Sequence, residues 1–269
     1  MKRFFQFIWT QIKRVPWYGW LAGIACIGIS AGLYNLAKPI ITAWSHSWRV
    51  EPIIVGLDTK IPLVPYFFVE IYFCYFALAF FGPVVCSVTQ KEHFLTTVIS
   101  ILVCEIIVFL LWSCCPSYMD RNHVAGVPID GYGSLIEAVK DKKGLSYFLM
   151  KVLLRTDGGA DNYNLFPSFH CGLITFCYLG VMNRKELKIG SRIFWLVMAI
   201  LVCLSTNFTK QHYFFDLVTG VLLSVLVFGI FKWINPGKHI LKKCPNFLII
   251  EKLNWTHEKI TKKSFKSGK

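Results

Sequence analysis

The sequence predicts an all-α integral membrane protein, a bundle of six transmembrane helices. Three observations carry that expectation. The 269 residues are 55% hydrophobic and 16% charged, where a soluble domain carries about 25% charged residues. The apolar residues fall into six runs separated by short polar gaps, at residues 18–41, 65–88, 94–112, 165–182, 193–208 and 213–233. A helix needs about 20 residues, within a range of about 17–25, to cross the hydrocarbon. Finally, lysine and arginine gather in the segments that would share one side of the membrane.

Taken in order, "MKRFFQFIWTQIKR" mixes aromatic and basic residues and reads as an arm, residues 1–16, lying along the inner interface. No signal-peptide cleavage pattern precedes the first run. "WSHSWRVEPIIVGLDTKIP" links the first and second runs on the outer side. The loop 113–164 follows the third run, and a loop of that length without function is uncommon. Its "GSLIEAVKD" and "LSYFLMKVLLR" predict two short amphipathic helices split by Gly144, lying on the outer leaflet. "TDGGADNYN" is a turn-rich entry into the fourth run. "NRKELKIGSR" joins the fourth and fifth runs. The transmembrane domain is expected over residues 17–235, with a basic tail at 236–269.

The inner link carries Arg184, Lys185, Lys188 and Arg192, the arm Lys2, Arg3, Lys13 and Arg14, and the segment 232–269 ten basic residues against Glu251 and Glu258. The loop 113–164 holds six basic and six acidic residues. Both termini are therefore expected in the cytoplasm of a cell-membrane protein, with loop 113–164 outside. The net charge of +14 then reflects topology and contact with anionic membrane lipid, not nucleic acid. Of the ten cysteines, Cys26, Cys74, Cys86, Cys104, Cys177 and Cys203 lie within apolar runs and read as small buried hydrophobes. No CxxC and no metal-ligand spacing occurs, so neither a metal nor another cofactor is expected.

Two outer helix ends hold the residues with chemistry. The fourth run opens with "NLFPSFHCGLITF". Pro167 suits the first position of a helix, and the N–H groups of Ser168, Phe169 and His170 would form an anion site at the helix N-terminus. The sixth run opens with "QHYFFD". His212 and Asp216, at i and i+4, would share one helix face. The carboxylate would hold one imidazole nitrogen, orient the ring and balance its charge, leaving the other nitrogen as nucleophile. An acid inside an apolar segment is costly unless it serves such a purpose. Lys210 and Arg121 stand nearby as cations able to clamp phosphate oxygens. Glu70 and Glu105 are further carboxylates within apolar runs, read either as a proton path or as buried partners of a cation. His46, His93, His123, His239 and His257 read as solvated.

"PSFH" and "STNFTKQHYFFD" resemble the second and third motifs of the type 2 phosphatidic acid phosphatase superfamily, P-S-G-H and S-R-x5-H-x3-D. Pro167, Ser168 and His170 match the second, with Phe169 for glycine. Ser205, His212 and Asp216 match the third, with Thr206 for arginine. The first motif, K-x6-R-P, is weaker: Arg121 matches, with Cys114 for lysine and Asn122 for proline. The bulky residue after "PS" and "KQHYFFD" resemble the branch of inositol phosphorylceramide synthases and related bacterial lipid phosphatases, in which Lys210 would supply the charge that Thr206 lacks.

The resemblance implies that His212 attacks phosphorus and His170 protonates the leaving oxygen. Ser168, Arg121 and Lys210 would bind the phosphate of a lipid phosphate ester or diphosphate at the extracytoplasmic ends of the fourth and sixth helices. Two other readings stay open at this point. One is transfer of a phospho-headgroup to an alcohol or lipid acceptor, and the other a lipid transporter or catalytically dead lipid-binding protein.

Overall fold

The computed structural model describes residues 15–45, 51–119, 135–156 and 165–244. Residues 1–14 of the expected arm at 1–16 and the tail beyond Cys244 lie outside them, as do Arg121, His46, His123 and His257. The described residues form helices and connecting turns, as the apolar runs predict. We number α1 (Trp17–Ser45), α2 (Phe68–Cys86), α3 (Lys91–Cys114), α4 (Leu145–Thr156), α5 (Phe169–Val181), α6 (Ile189–Phe208), α7 (Phe214–Ile234) and α8 (Pro236–Lys243). Single short helices also occur at Val55–Asp58 and Leu135–Lys140.

Among the described residues, five helices are long and apolar enough to cross a membrane: Trp17–Ile41 of α1, and α2, α3, α6 and α7. The protein is thus a multi-pass membrane protein by the length and composition of its helices. The exception is the fourth run. Its helix α5 has 13 residues, about 20 Å at 1.5 Å per residue, because residues 165–168 are not helical. A short helix suffices there because α5 does not face lipid. It packs against α2, α3, α6 and α7, and ten of its residues are buried, from Cys171 through Val181.

The core is the meeting of these helices. Tyr75, Leu78 and Ala79 of α2, Ile101 and Val108 of α3, and Leu173, Ile174 and Phe176 of α5 are buried together with Val202 and Phe228. The outer faces carry exposed apolar side chains such as Phe76, Phe81, Ile106, Leu110, Ile200, Leu222 and Leu226, as expected where the solvent is hydrocarbon. Small residues let the central helices approach. A Cβ on Gly220 of α7 would lie 2.3 Å from the Ser168 carbonyl oxygen, so the start of α5 and the first turns of α7 touch backbone to backbone. Ser224 reinforces the contact by donating to the Gly172 carbonyl at 3.0 Å.

The acids within the apolar runs join helices. Glu105 of α3 accepts from Ser30 of α1 at 2.7 Å, and Glu70 of α2 accepts from Ser146 of α4 at 2.5 Å. His93, expected to be solvated, is instead buried and donates from Nε2 to the Gly180 carbonyl at 2.8 Å. It lies in the first turn of α3, against the end of α5. The two predicted helices of loop 113–164 are present, with Gly144 between them at φ +113°. Val139, Met150, Leu153 and Leu154 bury themselves against Val69 and Tyr72 of α2, covering one end of that helix.

Candidate active site

The start of α5 brings His170 to the site. Ser168 caps the helix: its backbone is extended and its Oγ accepts from Cys171 N at 3.3 Å. Pro167 therefore stands one residue before the cap, not at the first helical position, and its carbonyl accepts from the Trp112 indole at 3.3 Å. The Ser168 N–H donates to the Asp216 carbonyl at 3.0 Å. Its hydroxyl is thus engaged in capping α5, and its N–H in holding α5 to α7. The N–H groups of Phe169 and His170 lie in the first turn, outside the intrahelical ladder.

His212 comes from the turn between α6 and α7. Gln211 N and His212 N both donate to the Thr206 carbonyl, at 2.8 and 3.1 Å. Asn207 Nδ2 donates to the His212 carbonyl at 2.7 Å. Thr206, where the resembled motif has arginine, is buried and donates its hydroxyl to the Cys203 carbonyl at 2.7 Å. The expectation that His212 and Asp216 share a helix face is corrected. Helix α7 begins at Phe214, so His212 precedes it. The two meet because Asp216, in the first turn, folds its carboxylate back over the helix N-terminus. Its Oδ2 accepts from Tyr213 N at 3.0 Å and lies 3.6 Å from His212 Nδ1. That separation is longer than a hydrogen bond but close enough for charge to be felt, since both side chains are buried.

The two histidines face each other directly, with His170 Nδ1 3.2 Å from His212 Nε2. On its far side, His170 Nε2 lies 3.0 Å from the Tyr72 hydroxyl, and the Tyr75 ring packs 4.7 Å from its centroid. A polar chain thus runs from Asp216 through His212 and His170 to Tyr72. The histidines border a cavity of about 330 Å³, which is otherwise largely apolar and lined by Ile27, Ala31, Tyr34, Phe73, Phe76 and Trp112 among others. Tyr72 and Tyr75 carried no sequence signal beyond belonging to an apolar run.

Lys210 is placed differently from His170 and His212. It sits at φ 55°, buried, and its ammonium donates to the carbonyls of Asp58 and Ile61, at 3.2 and 2.5 Å. Asp58 answers by accepting from Phe214 N at 2.8 Å and Ile54 N at 2.7 Å. Val64 N donates to the Phe208 carbonyl, and the Tyr213 hydroxyl bonds Glu51. Segment 51–64 is therefore a strap laid across the turn that carries His212, and Lys210 is one of its ties.

Burial pushes the Lys210 ammonium down to about 8, with the Asp58 carboxylate opposing part of the shift. An unfolded lysine titrates near 10.4. Between these values the unfolded chain holds a proton that the folded one lacks, so this group's contribution to stability rises with pH across that window. The melting temperature in detergent should therefore gain less from pH 8 to pH 10 in Lys210→Met than in the wild type. Parallel curves would contradict this placement of Lys210.

Among the described residues, no three His, Cys, Asp or Glu side chains are grouped as metal ligands. What remains is a pair of imidazoles backed by a carboxylate, at the head of an apolar cavity between membrane-spanning helices. Such a site suits nucleophilic and acid–base chemistry on an amphipathic substrate. The family model described as the PAP2 superfamily matches residues 49–230, a span that includes both histidines, Asp216 and the strap. The chain belongs to the PAP2 superfamily, the type 2 phosphatidic acid phosphatase superfamily that the motifs resemble. Membership supports an activity of phosphatase or phosphotransferase type. Comparison with the curated proteins found no match, and comparison with the solved structures found none.

Proposed function

We propose that the protein hydrolyses a lipid phosphate monoester or diphosphate through a phosphohistidine on His212. The observation that carries this reading is the His170–His212 contact of 3.2 Å with Asp216 buried behind it. One nitrogen of each ring faces the other, so a phosphoryl group that parts the two rings and displaces this contact meets a nucleophile on one side and a proton donor on the other. His212 Nε2 attacks phosphorus while the bond to the lipid oxygen breaks. His170, as the imidazolium, gives its Nδ1 proton to that oxygen. His170 then takes a proton from water as water displaces His212 from phosphorus. Asp216 steadies the positive ring of the intermediate.

Charge on the phosphoryl oxygens is met, in this reading, by the helix N-terminus at Phe169 and His170 and by Arg121, assigned by the motif alone. Ser168 serves through the cap that aims those N–H groups, and Lys210 through the strap. The apolar cavity beside the histidines supports a substrate with hydrocarbon chains, since phosphate at one end and alkyl carbon along the walls match its lining. The test is a panel of lipid phosphates and diphosphates supplied to purified protein, with and without candidate alcohols. Free phosphate from a lipid phosphate is the expected product. A new phosphodiester that forms only with an alcohol would assign the protein as a headgroup transferase, and no turnover of any member would favour a binding or transport role.

We place both termini in the cytoplasm and the site at the outer face. The basic link 184–192 supports this, with α5 and the non-helical residues 165–168 together completing the fourth crossing. The test uses a background in which Cys74, Cys114, Cys115 and Cys244 are replaced. A cysteine at exposed Lys60 should be labelled by an impermeant thiol reagent in intact cells, and one at exposed Gly190 only after lysis. The reverse pattern would put the site on the cytoplasmic face.

A further inference from the structure

Tyr72 lies on α2, nearly a hundred residues before His170 and outside the matched motifs. Its hydroxyl is 3.0 Å from His170 Nε2. The other nitrogen of that ring, Nδ1, is the one that faces His212. The Tyr72 ring is buried, packed with Val69, Met150, Leu153 and Leu154, and its centroid is 5.0 Å from that of His170. The ring is thus held in place by the covering helices, with its hydroxyl within hydrogen-bond reach of His170 Nε2.

We propose that Tyr72 is a positioning residue for His170, which makes Nδ1 the proton-transferring nitrogen through both halves of the reaction. This rests on the reading of His170 as acid and then base. In the first half His170 carries two protons. The Nδ1 proton goes to the departing lipid oxygen as the phosphorus–oxygen bond breaks and the bond to His212 Nε2 forms. The Nε2 proton stays, donated to the Tyr72 oxygen. The neutral ring now has its lone pair on Nδ1, facing the phosphohistidine. In the second half that lone pair takes a proton from water as the water oxygen bonds to phosphorus and the bond to His212 breaks. Without a partner on Nε2, the neutral ring would be free to shift its proton to Nδ1 and so lose its function as a base.

A hydroxyl also suits the state with no substrate. There a neutral His170 that donates from Nδ1 to His212 Nε2 leaves its own Nε2 as an acceptor. Tyr72 can rotate its hydroxyl hydrogen toward that nitrogen, which a backbone carbonyl, able only to accept, cannot do. The same contact then serves in each protonation state of the cycle.

The experiment compares the wild type with Tyr72→Phe, which keeps the ring and removes the hydroxyl. Phosphoenzyme formation is followed in a single turnover with dioleoyl phosphatidic acid and with p-nitrophenyl phosphate, whose leaving group needs little help from an acid. The lipid reaction should slow by about tenfold to a hundredfold, with the half-saturating lipid concentration and the aryl reaction each within about twofold of wild type. Equal losses on both substrates, no loss on the lipid, or a raised half-saturating concentration with an unchanged maximal rate would each overturn the proposal. A wild type that forms no phosphoenzyme from the lipid would overturn it together with the functional reading on which it rests. If Tyr72→Phe does not fold, 3,5-difluorotyrosine at position 72 decides instead. It retains size and hydroxyl but is a weaker acceptor, and it should slow the lipid reaction alone.

Discussion

His212→Ala should abolish turnover, by roughly ten-thousandfold or more, with the fold intact. The imidazole is the atom donor to phosphorus in the first step, and no other described side chain stands where its Nε2 does, 3.2 Å from His170 Nδ1. The fold should survive because the turn is held by backbone groups: Thr206 accepts from the His212 N–H and Asn207 donates to its carbonyl. Asp216→Asn is the companion variant. Asp216 has two tasks, capping α7 through Tyr213 N and facing His212 Nδ1. An asparagine oxygen still accepts from Tyr213 N, so the cap persists and only the charge is lost. Turnover should fall by about a hundredfold to ten-thousandfold, with the melting temperature nearly unchanged. Rates close to wild type in either variant, measured on the same lipid phosphate, would contradict the role given to the residue.

The second large effect separates the two histidines. His170→Ala removes the acid, so the loss should depend on how much the leaving group needs one. With a lipid phosphate the first step expels a poor leaving group, and phosphoenzyme formation should drop by about a hundredfold to ten-thousandfold. With an aryl phosphate the same step should lose far less. His212→Ala should form no phosphoenzyme from either. The comparison must be made in a single turnover, since His170 is needed again as the base for the second step. Equal losses with the two substrates would remove His170 from the role of general acid.

Residues close in sequence were the legible part of the site. "PSFH" placed Ser168 and His170 at a helix start, and His212 with Asp216 marked a second helix end. The reason for the latter pairing was not legible. Spacing of four suggests a shared helix face, yet the same spacing arises when a carboxylate in the first turn reaches back over the N-terminus, and that is what the backbone does here. The length of α5 was hidden for a similar reason. Leu165, Phe166 and Pro167 are as apolar as a helix, and hydropathy does not register that Ser168 caps one. Partners far apart in the chain had no signal. Lys210 looks like a cation beside a histidine, but its acceptors are Asp58 and Ile61, 152 and 149 residues away. Tyr72 is one aromatic residue among several in α2 until the bundle sets it against His170.

The account turns on a covalent bond between phosphorus and His212, and acid-quench-free trapping of that bond is the most direct test. Purified protein is mixed with a lipid phosphate labelled at phosphorus, stopped in alkali within the first turnover, digested, and the labelled peptide sequenced by mass spectrometry. The account predicts an acid-labile, alkali-stable phosphohistidine at position 212, absent from His212→Ala and present in His170→Ala treated with the aryl phosphate. Label on any other residue, or steady release of phosphate with no labelled protein at any time point, would contradict it.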